Sequence, residues 1–273
     1  MQAASRESYK IAADRLDEYV RGAEASAVAT TADDILSVAA LLRREPRLRR
    51  ALSDPARSGE DRSGLLEGML RGKLGADALT LVSVLVSGRW SAPSELLEGA
   101  ERLGVEALLA SADSAGELSE VEDELFRFGQ VVSGSPELSS ALSDPMVPAE
   151  RRATLVDQLL AGKARPVTGY LVGVALAGFG GRSFIGALTR LVELAADRRD
   201  RQVAYVTVAA PLSDEEEQRL GARLSAIYGR EVSVRQTVNP DVLGGVSVRV
   251  GSDLYDGTVL RRLNETRNAL AKR

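Results

Sequence analysis

The pentapeptide ALSDP occurs twice, at Ala51–Pro55 and at Ala141–Pro145, ninety residues apart. Its flanks repeat at the same offset. Pro46 pairs with Pro136, Leu48 with Leu138, Glu60 with Glu150, Arg62 with Arg152, Leu65 with Leu155, Leu70 with Leu160, Gly72 with Gly162 and Lys73 with Lys163. Leu81, Val82, Val84 and Gly88 meet Leu171, Val172, Val174 and Gly178, and upstream Ile35, Leu36, Leu41 and Leu42 meet Leu125, Phe126, Val131 and Val132. Unrelated segments rarely hold ungapped register over so many positions. We read an internal duplication, with a small insertion or deletion after Gly88. A period of ninety exceeds the roughly 20–50 residues of a solenoid unit, so the repeated object is a domain. Whatever the first copy folds into, the second must fold into as well.

Each copy reads as a run of helices. Ser5–Ala23 carries Tyr9, Ala13, Leu16 and Val20 at helical spacing, and Thr31 is placed to cap a second helix with the stripe Ile35, Val38, Leu42. Pro46 and Pro136, the latter after the cap residue Ser135, each start a short helix, where the missing N–H is no loss. The repeated pentapeptide ends that helix, because the residue before proline is pushed out of the α region; Asp54 and Asp144 mark the stop, and Leu52 and Leu142 point inward. Three further helices are predicted in each copy, near 59–73, 76–87 and 93–112, then near 148–162, 166–178 and 182–199. From Ser94 to Ala112 the only breakers are glycines, Gly104 among them, so one helix is expected to end the first bundle and begin the second.

At Arg201 the period changes. Val203–Val208 reads as a strand, and Ser213 with Glu216 has capping-box spacing ahead of a helix with Leu220, Leu224 and Ile227 on its apolar face and Gly229 at its end. EVSVRQTV is a second strand, VNPDVLGG a turn, and GVSVRVG a third strand with Val246, Val248 and Val250 on one face. LYDGT is a further turn and Thr258–Lys272 a last helix. The expected fold is therefore mainly α: two tandem duplicated helical bundles, 1–106 and 107–200, followed by a small α+β domain of βαββα order, 201–273.

Composition narrows the chemistry. Histidine and cysteine are both absent, which removes serine–histidine triads, thiol chemistry, zinc sites and most redox metal sites. Aromatics are only 4%, so the cores must be built from Leu, Val and Ala. The net charge of −4, with both signs interspersed, gives no sequence-wide pull toward nucleic acid or anionic lipid. The longest apolar stretch, near Gly169–Gly181, is Gly-rich and short of the roughly 20 residues of a spanning helix. No apolar run near Met1 resembles a signal peptide, so the expectation is a soluble, cytosolic chain that inserts in no membrane itself.

Motifs resembling cofactor sites fail on inspection. Gly68-x-x-x-Gly72-Lys73 is one residue short of a phosphate loop, and Leu74 stands where a magnesium-binding hydroxyl belongs. Gly178-Phe-Gly-Gly181 lacks the strand that a dinucleotide fingerprint needs. No catalytic, cofactor or metal residues are assigned. The dense run Arg43, Arg44, Arg47, Arg49, Arg50 is either a solvated helix face or a dock for an acidic partner.

The stretch VSVRQTVNPDVLGGVSVRVG is more specific. It resembles the signature of the delta subunit of F-type ATP synthase, the bacterial relative of the mitochondrial oligomycin sensitivity-conferring protein. Val232, Val234, Val238, Asn239, Val242, Gly244, Gly245, Val246, Val248, Arg249 and Gly251 fill the signature's places. LYDGTVLRRL, with Asp256 and Gly257, resembles the helix start that follows, and VTVAAPLSDEE the strand-to-helix passage before it. The usual family arrangement covers about 107–273; SRESYKIAADRLDEYV also resembles family N-termini, so the first copy looks like an extra bundle ahead of the ordinary one. The resemblance implies a non-catalytic stator subunit without cofactors, peripheral on the cytoplasmic face of the membrane. It would join N-terminal segments of the alpha subunits to the b subunit of the peripheral stalk. A helical adaptor of another assembly and a small α/β enzyme using carboxylates stay open as alternatives.

Overall fold

The computed structural model describes residues 1–144, 146–199, 201–229, 231–240, 242, 244–250, 253–257, 259 and 261. It divides into two compact units, Met1–Val192 and Glu193–Arg273. The first is helical: α1 (Ala3–Gly22), α2 (Ala25–Arg44), α3 (Pro46–Leu52), α4 (Gly59–Leu70), α5 (Ala76–Ser87), α6 (Pro93–Ser114), α7 (Leu118–Ser133), α8 (Pro136–Ser143), α9 (Ala149–Leu160), α10 (Pro166–Leu176) and the first part of α11 (Phe184–Arg198), which continues past Val192. Shifted by ninety residues, α2–α5 fall on α7–α10 in order.

The duplication is visible in hydrogen bonds as well as in helices. Asp54 and Asp144 each turn the chain after the short helix, accepting from the backbone N–H of Ala56 at 2.9 Å and of Met146 at 2.8 Å. Leu52 and Leu142 are fully buried. Asp34 accepts from the N–H of Gly75 at 2.7 Å, and Glu124, ninety residues on, accepts from that of Arg165 at 2.9 Å. Each carboxylate thereby satisfies a backbone donor at the start of the next long helix, where negative charge is favoured. The matched core positions Ile35 and Leu125, Leu42 and Val132, and Val82 and Val172 have no exposed surface.

Helix α6 belongs to both copies. It packs on α1, α2, α3 and α5, and also on α7, α10 and the 3-10 turn Phe179–Gly181. Of its residues from Leu103 to Ala112, all but Glu106 are buried, so no polar face remains in that half. Gly104 does not break it. A Cβ there would stand 2.6 Å from Leu36 Cγ, so the glycine lets α2 approach closely.

Several expectations are corrected. Thr31 lies inside α2, buried and sharing a 2.9 Å hydrogen bond with the Tyr19 hydroxyl; the helix starts at Ala25, with no side-chain cap. In α1 the buried position is Ala12, with Ala13 only partly covered, because Tyr9, Ala12 and Leu16 share one face. Helix α2 is long and apolar enough, by length and composition, to cross a membrane, which Gly169–Gly181 is not. Here Val28, Ile35, Leu36, Val38 and Leu42 are buried against neighbouring helices, and the charged Asp33 and Asp34 sit near its middle.

In the second unit, β1 (Arg201–Val208), α12 (Asp214–Tyr228), β2 (Glu231–Val238), β3 (Val246–Val250) and β4 (Asp253–Asp256) form a sheet of order β2-β1-β3-β4. The β1–β2 pair is parallel across the α12 crossover; β1–β3 and β3–β4 are antiparallel. Ala204, Val206, Val208, Val232, Val234, Val248 and Val250 alternate along their strands onto one face, where Leu224 of α12 meets them. Ser213 and Glu216 form the capping box, and Gly229 closes α12 at φ +69°. Two corrections apply. Ile227 is 66% exposed, and Tyr228 packs on the core instead. Leu254–Asp256 is strand, not turn, because its backbone pairs with Ser247–Arg249. Of the expected helix Thr258–Lys272 only Val259 and Arg261 are described, both helical; the rest of it and the signature residue Gly251 lie outside the described residues.

Candidate partner-docking surfaces

The arginine run does not act as a single patch. Arg43 donates to Glu101 of α6 at 2.5 Å and to the Gly178 carbonyl at 3.4 Å. Glu101, 5% exposed in its side chain, also accepts from the Gly180 N–H at 2.8 Å. One buried carboxylate thus fastens the end of α2 to the connection after α10. Arg49 turns back to the Leu42 carbonyl at 3.3 Å and is half-buried. Arg44, Arg47 and Arg50 are exposed, without an ion-pair partner among the described residues. The local chain dictates this split: Arg43 and Arg44 are 100° apart on one helix, so one points to α6 and the other to solvent.

Between α2 and α10 lies an open, mostly apolar groove of about 450 Å³. Ser37, Ala40 and Arg44, exposed and spaced by three and four, line it from α2, with Gly173 of α10 and Ala177 just past its end. Arg43 and Glu101 close one end. At the other stands Tyr170, whose hydroxyl is pushed up to about 12 by burial, with the Asp33 carboxylate nearby. The groove exists only where the two copies meet. Sequence reading missed it; the signal available was the pair Gly169 and Gly173 inside a predicted helix.

The signature turn passes through left-handed backbone. Gly244 and Gly245 have φ of +93° and +85°, in the left-handed region. The Asn239 N–H extends the β1 edge by donating to Val208 O at 2.8 Å, and Val242 N–H returns to Asn239 O at 3.1 Å. Gly257 donates to Val246 O at 2.9 Å, which ties the Asp-Gly motif back to the start of β3. Val232, Val234 and Val248 are core, Val246 packs against it, and Val238 is 45% exposed. Arg249 lies over the Tyr205 ring at 5.1 Å, its cross-strand partner. Asp256 is the last residue of β4. Among the described residues no group of three or more acidic side chains could hold a metal ion.

Fold and turn together define a class: a mainly helical chain followed in sequence by a small mixed α+β unit. The chain belongs to the ATP synthase delta (OSCP) subunit family, whose sequence model matches residues 105–270. The match begins at Val105, inside α6, so most of the first copy lies ahead of it. Over the full length the chain is similar to the ATP synthase subunit delta of Salinispora arenicola and of Salinispora tropica, each 80% identical with both chains wholly covered. It is 45% identical to that of Streptomyces griseus, over 99% of this chain and 100% of the relative. A chain of the Toxoplasma gondii mitochondrial ATP synthase hexamer is similar over 61% of this chain and 94% of its own, at 20% identity and a TM-score of 0.39.

Proposed function

We propose that this chain is a non-catalytic connector of the stator, joining the catalytic head of an F-type ATP synthase to its peripheral stalk. Family membership over 105–270 carries the reading. The physical requirement is to resist the torque that shaft rotation puts on the head, and several modest contacts on one chain meet it by raising effective concentration. In this reading the second copy, next to the sheet unit in sequence, takes an N-terminal segment of an alpha subunit, and the sheet unit takes the end of the b subunit. The complex holds the chain at the cytoplasmic face of the membrane. The first copy meets a different and more acidic surface. Between Ile35 and Lys73 it has nine basic and five acidic residues, a balance of +4, whereas Leu125–Lys163 has four of each, a balance of 0.

The test is reconstitution of the full chain into membranes whose synthase lacks this subunit. Restored proton-driven ATP synthesis, with ATPase activity retained on the membrane, is the expected result. A synthase that holds its head and stays coupled without the chain would refute the connector role.

A further inference from the structure

We propose that Arg43, Glu101 and the glycine turn after α10 form a latch that fixes how the second copy sits on the first. With the latch open, the two copies hinge at this joint without unfolding. The latch acts in the free chain, whatever the chain connects.

Packing leaves room for such a motion. α2 and α10 scarcely touch, and the open groove of about 450 Å³ lies between them. Without interdigitated side chains there, little resists a change of angle. What bridges one end of the groove is charge. Glu101 of α6 accepts from Arg43 of α2 at 2.5 Å and from the Gly180 N–H at 2.8 Å, and Arg43 reaches the Gly178 carbonyl at 3.4 Å. The Glu101 side chain is 5% exposed and that of Arg43 31%. A charge in contact with water gives up its ion pair more cheaply than a buried one, so Arg43 is the side that opens.

The turn held by the latch is soft by itself. Gly178, Gly180 and Gly181 have φ of +85°, +59° and +69°, and glycine backbone has wide conformational freedom. The matching connection in the first copy, after Gly88, is built otherwise. There Trp90 is buried, its indole N–H donates to Leu85 O at 2.9 Å, and its ring lies where a Cβ on Gly99 would come within 2.5 Å. The Ser8 hydroxyl donates to Arg89 O and accepts the Arg89 N–H, both at 2.8 Å. A packed indole and neutral hydrogen bonds hold that connection. In the second copy Phe179 is buried, but the glycines beside it leave their backbone to Arg43 and Glu101.

Neither half of the latch comes with the duplication. Ninety residues before Glu101 stands Ile11, 55% exposed, and ninety after Arg43 stands Ser133, also exposed. The pair exists only where the two copies meet, which is where a device governing their angle has to be.

The chain contains no cysteine, so Lys10→Cys on α1 and Gln158→Cys on α9, both at exposed positions, can carry two nitroxides for distance measurement by electron spin resonance in the full-length chain. Lys10→Cys with Glu60→Cys on α4 is the control pair inside the first copy. Arg43→Met with Glu101→Met removes the latch without leaving a buried charge, so the melting temperature should stay within about 3 °C of the parent. The expected result is a narrow distance distribution between the copies in the parent, lost in the double variant, with the control pair narrow in both. Exchange of the Gly180 amide should become about tenfold or more faster. A between-copy distribution as narrow in the variant as in the parent, or already broad in the parent, overturns the latch. Broadening of the control pair, or a large fall in melting temperature, also overturns it, because the pair would then be a support of the core. If the double variant does not fold, Arg43→Gln, which leaves Glu101 its Gly180 donor, must give the same selective broadening, and an unchanged distribution there overturns the proposal.

Discussion

Arg62 is the most heavily committed side chain in the first copy. It is 4% exposed, and its guanidinium donates to the carbonyls of Val86 at 3.1 Å, Asp54 at 3.1 Å, Arg57 at 2.5 Å, Ser87 at 2.9 Å and Gly88 at 2.7 Å. All five of its donors are used, and the end of α5 is sewn to the turn after α3. Its duplicate Arg152 donates to Leu142 O at 3.3 Å and is only half-buried. Arg62→Met is therefore expected to cost about 2–4 kcal/mol in urea unfolding, since it orphans several carbonyls, and Arg152→Met under about 1.5 kcal/mol. Equal losses would show that the duplicated arginines are not used differently. At the signature turn, Gly245 needs φ of +85°, which a β-branched residue resists. Gly245→Val should destabilise the sheet unit by about 1–3 kcal/mol, read as faster amide exchange at Val206 and Val248. If b-subunit binding falls while exchange is unchanged, the turn is a contact and not a support.

At the scale of elements, α6 is a continuous helix with two sets of neighbours. Gly104 marks its tightest crossing with α2, and Gly104→Val should cost about 1–3 kcal/mol by overpacking against Leu36. Limited proteolysis of the native protein should spare Gly104–Val105; early cutting there would mean that α6 is not one rigid helix. The capping boxes at Ser58–Asp61 and Ser213–Glu216 make a pH prediction. The Ser58 side chain and N–H hold the Asp61 carboxyl below its ordinary value, and the Ser213 N–H and side chain hold that of Glu216 below its own. A depressed folded-state pKa means stabilisation that is full above the unfolded value and lost as pH falls through the folded one. Both caps should therefore weaken as acid protonates these carboxyls, with NMR midpoints for Asp61 and Glu216 below the values the same groups have in the unfolded chain. Midpoints at or above those values would remove the caps from the stability account.

For the whole molecule, the surfaces of the two copies differ in charge. Arg44, Arg47 and Arg50 are exposed on the first copy and have no acidic counterparts within the chain among the described residues. Replacing all three by glutamate should leave the melting curve within about 0.5 kcal/mol of the parent, as exposed substitutions do. Assembly into the synthase should weaken, and its dependence on salt should flatten, because the screened attraction is gone. Unchanged assembly at low and high salt would mean that these arginines are merely solvated.

What the sequence determined by itself is what local chemistry can encode. The offset of ninety, the proline starts, the Asp54 and Asp144 stops, the capping box at Ser213 and the alternation of Val246, Val248 and Val250 each act within a few residues or through a repeated pattern. The family signature was legible for the same reason: it is one contiguous stretch whose glycines and alternating valines are fixed by turn and pleat. Only the tertiary structure decided which side chains the pattern leaves free. Arg43 and Arg44 are adjacent letters, yet one is spent on buried Glu101 and the other faces an open groove. Thr31 looked like a cap until α1 brought Tyr19 to its hydroxyl. Leu254–Asp256 looked like a turn until β3 offered it a ladder. The groove between α2 and α10 has walls from segments about 130 residues apart in sequence, and long-range packing has no local signature because its free energy depends on partners that no short window contains.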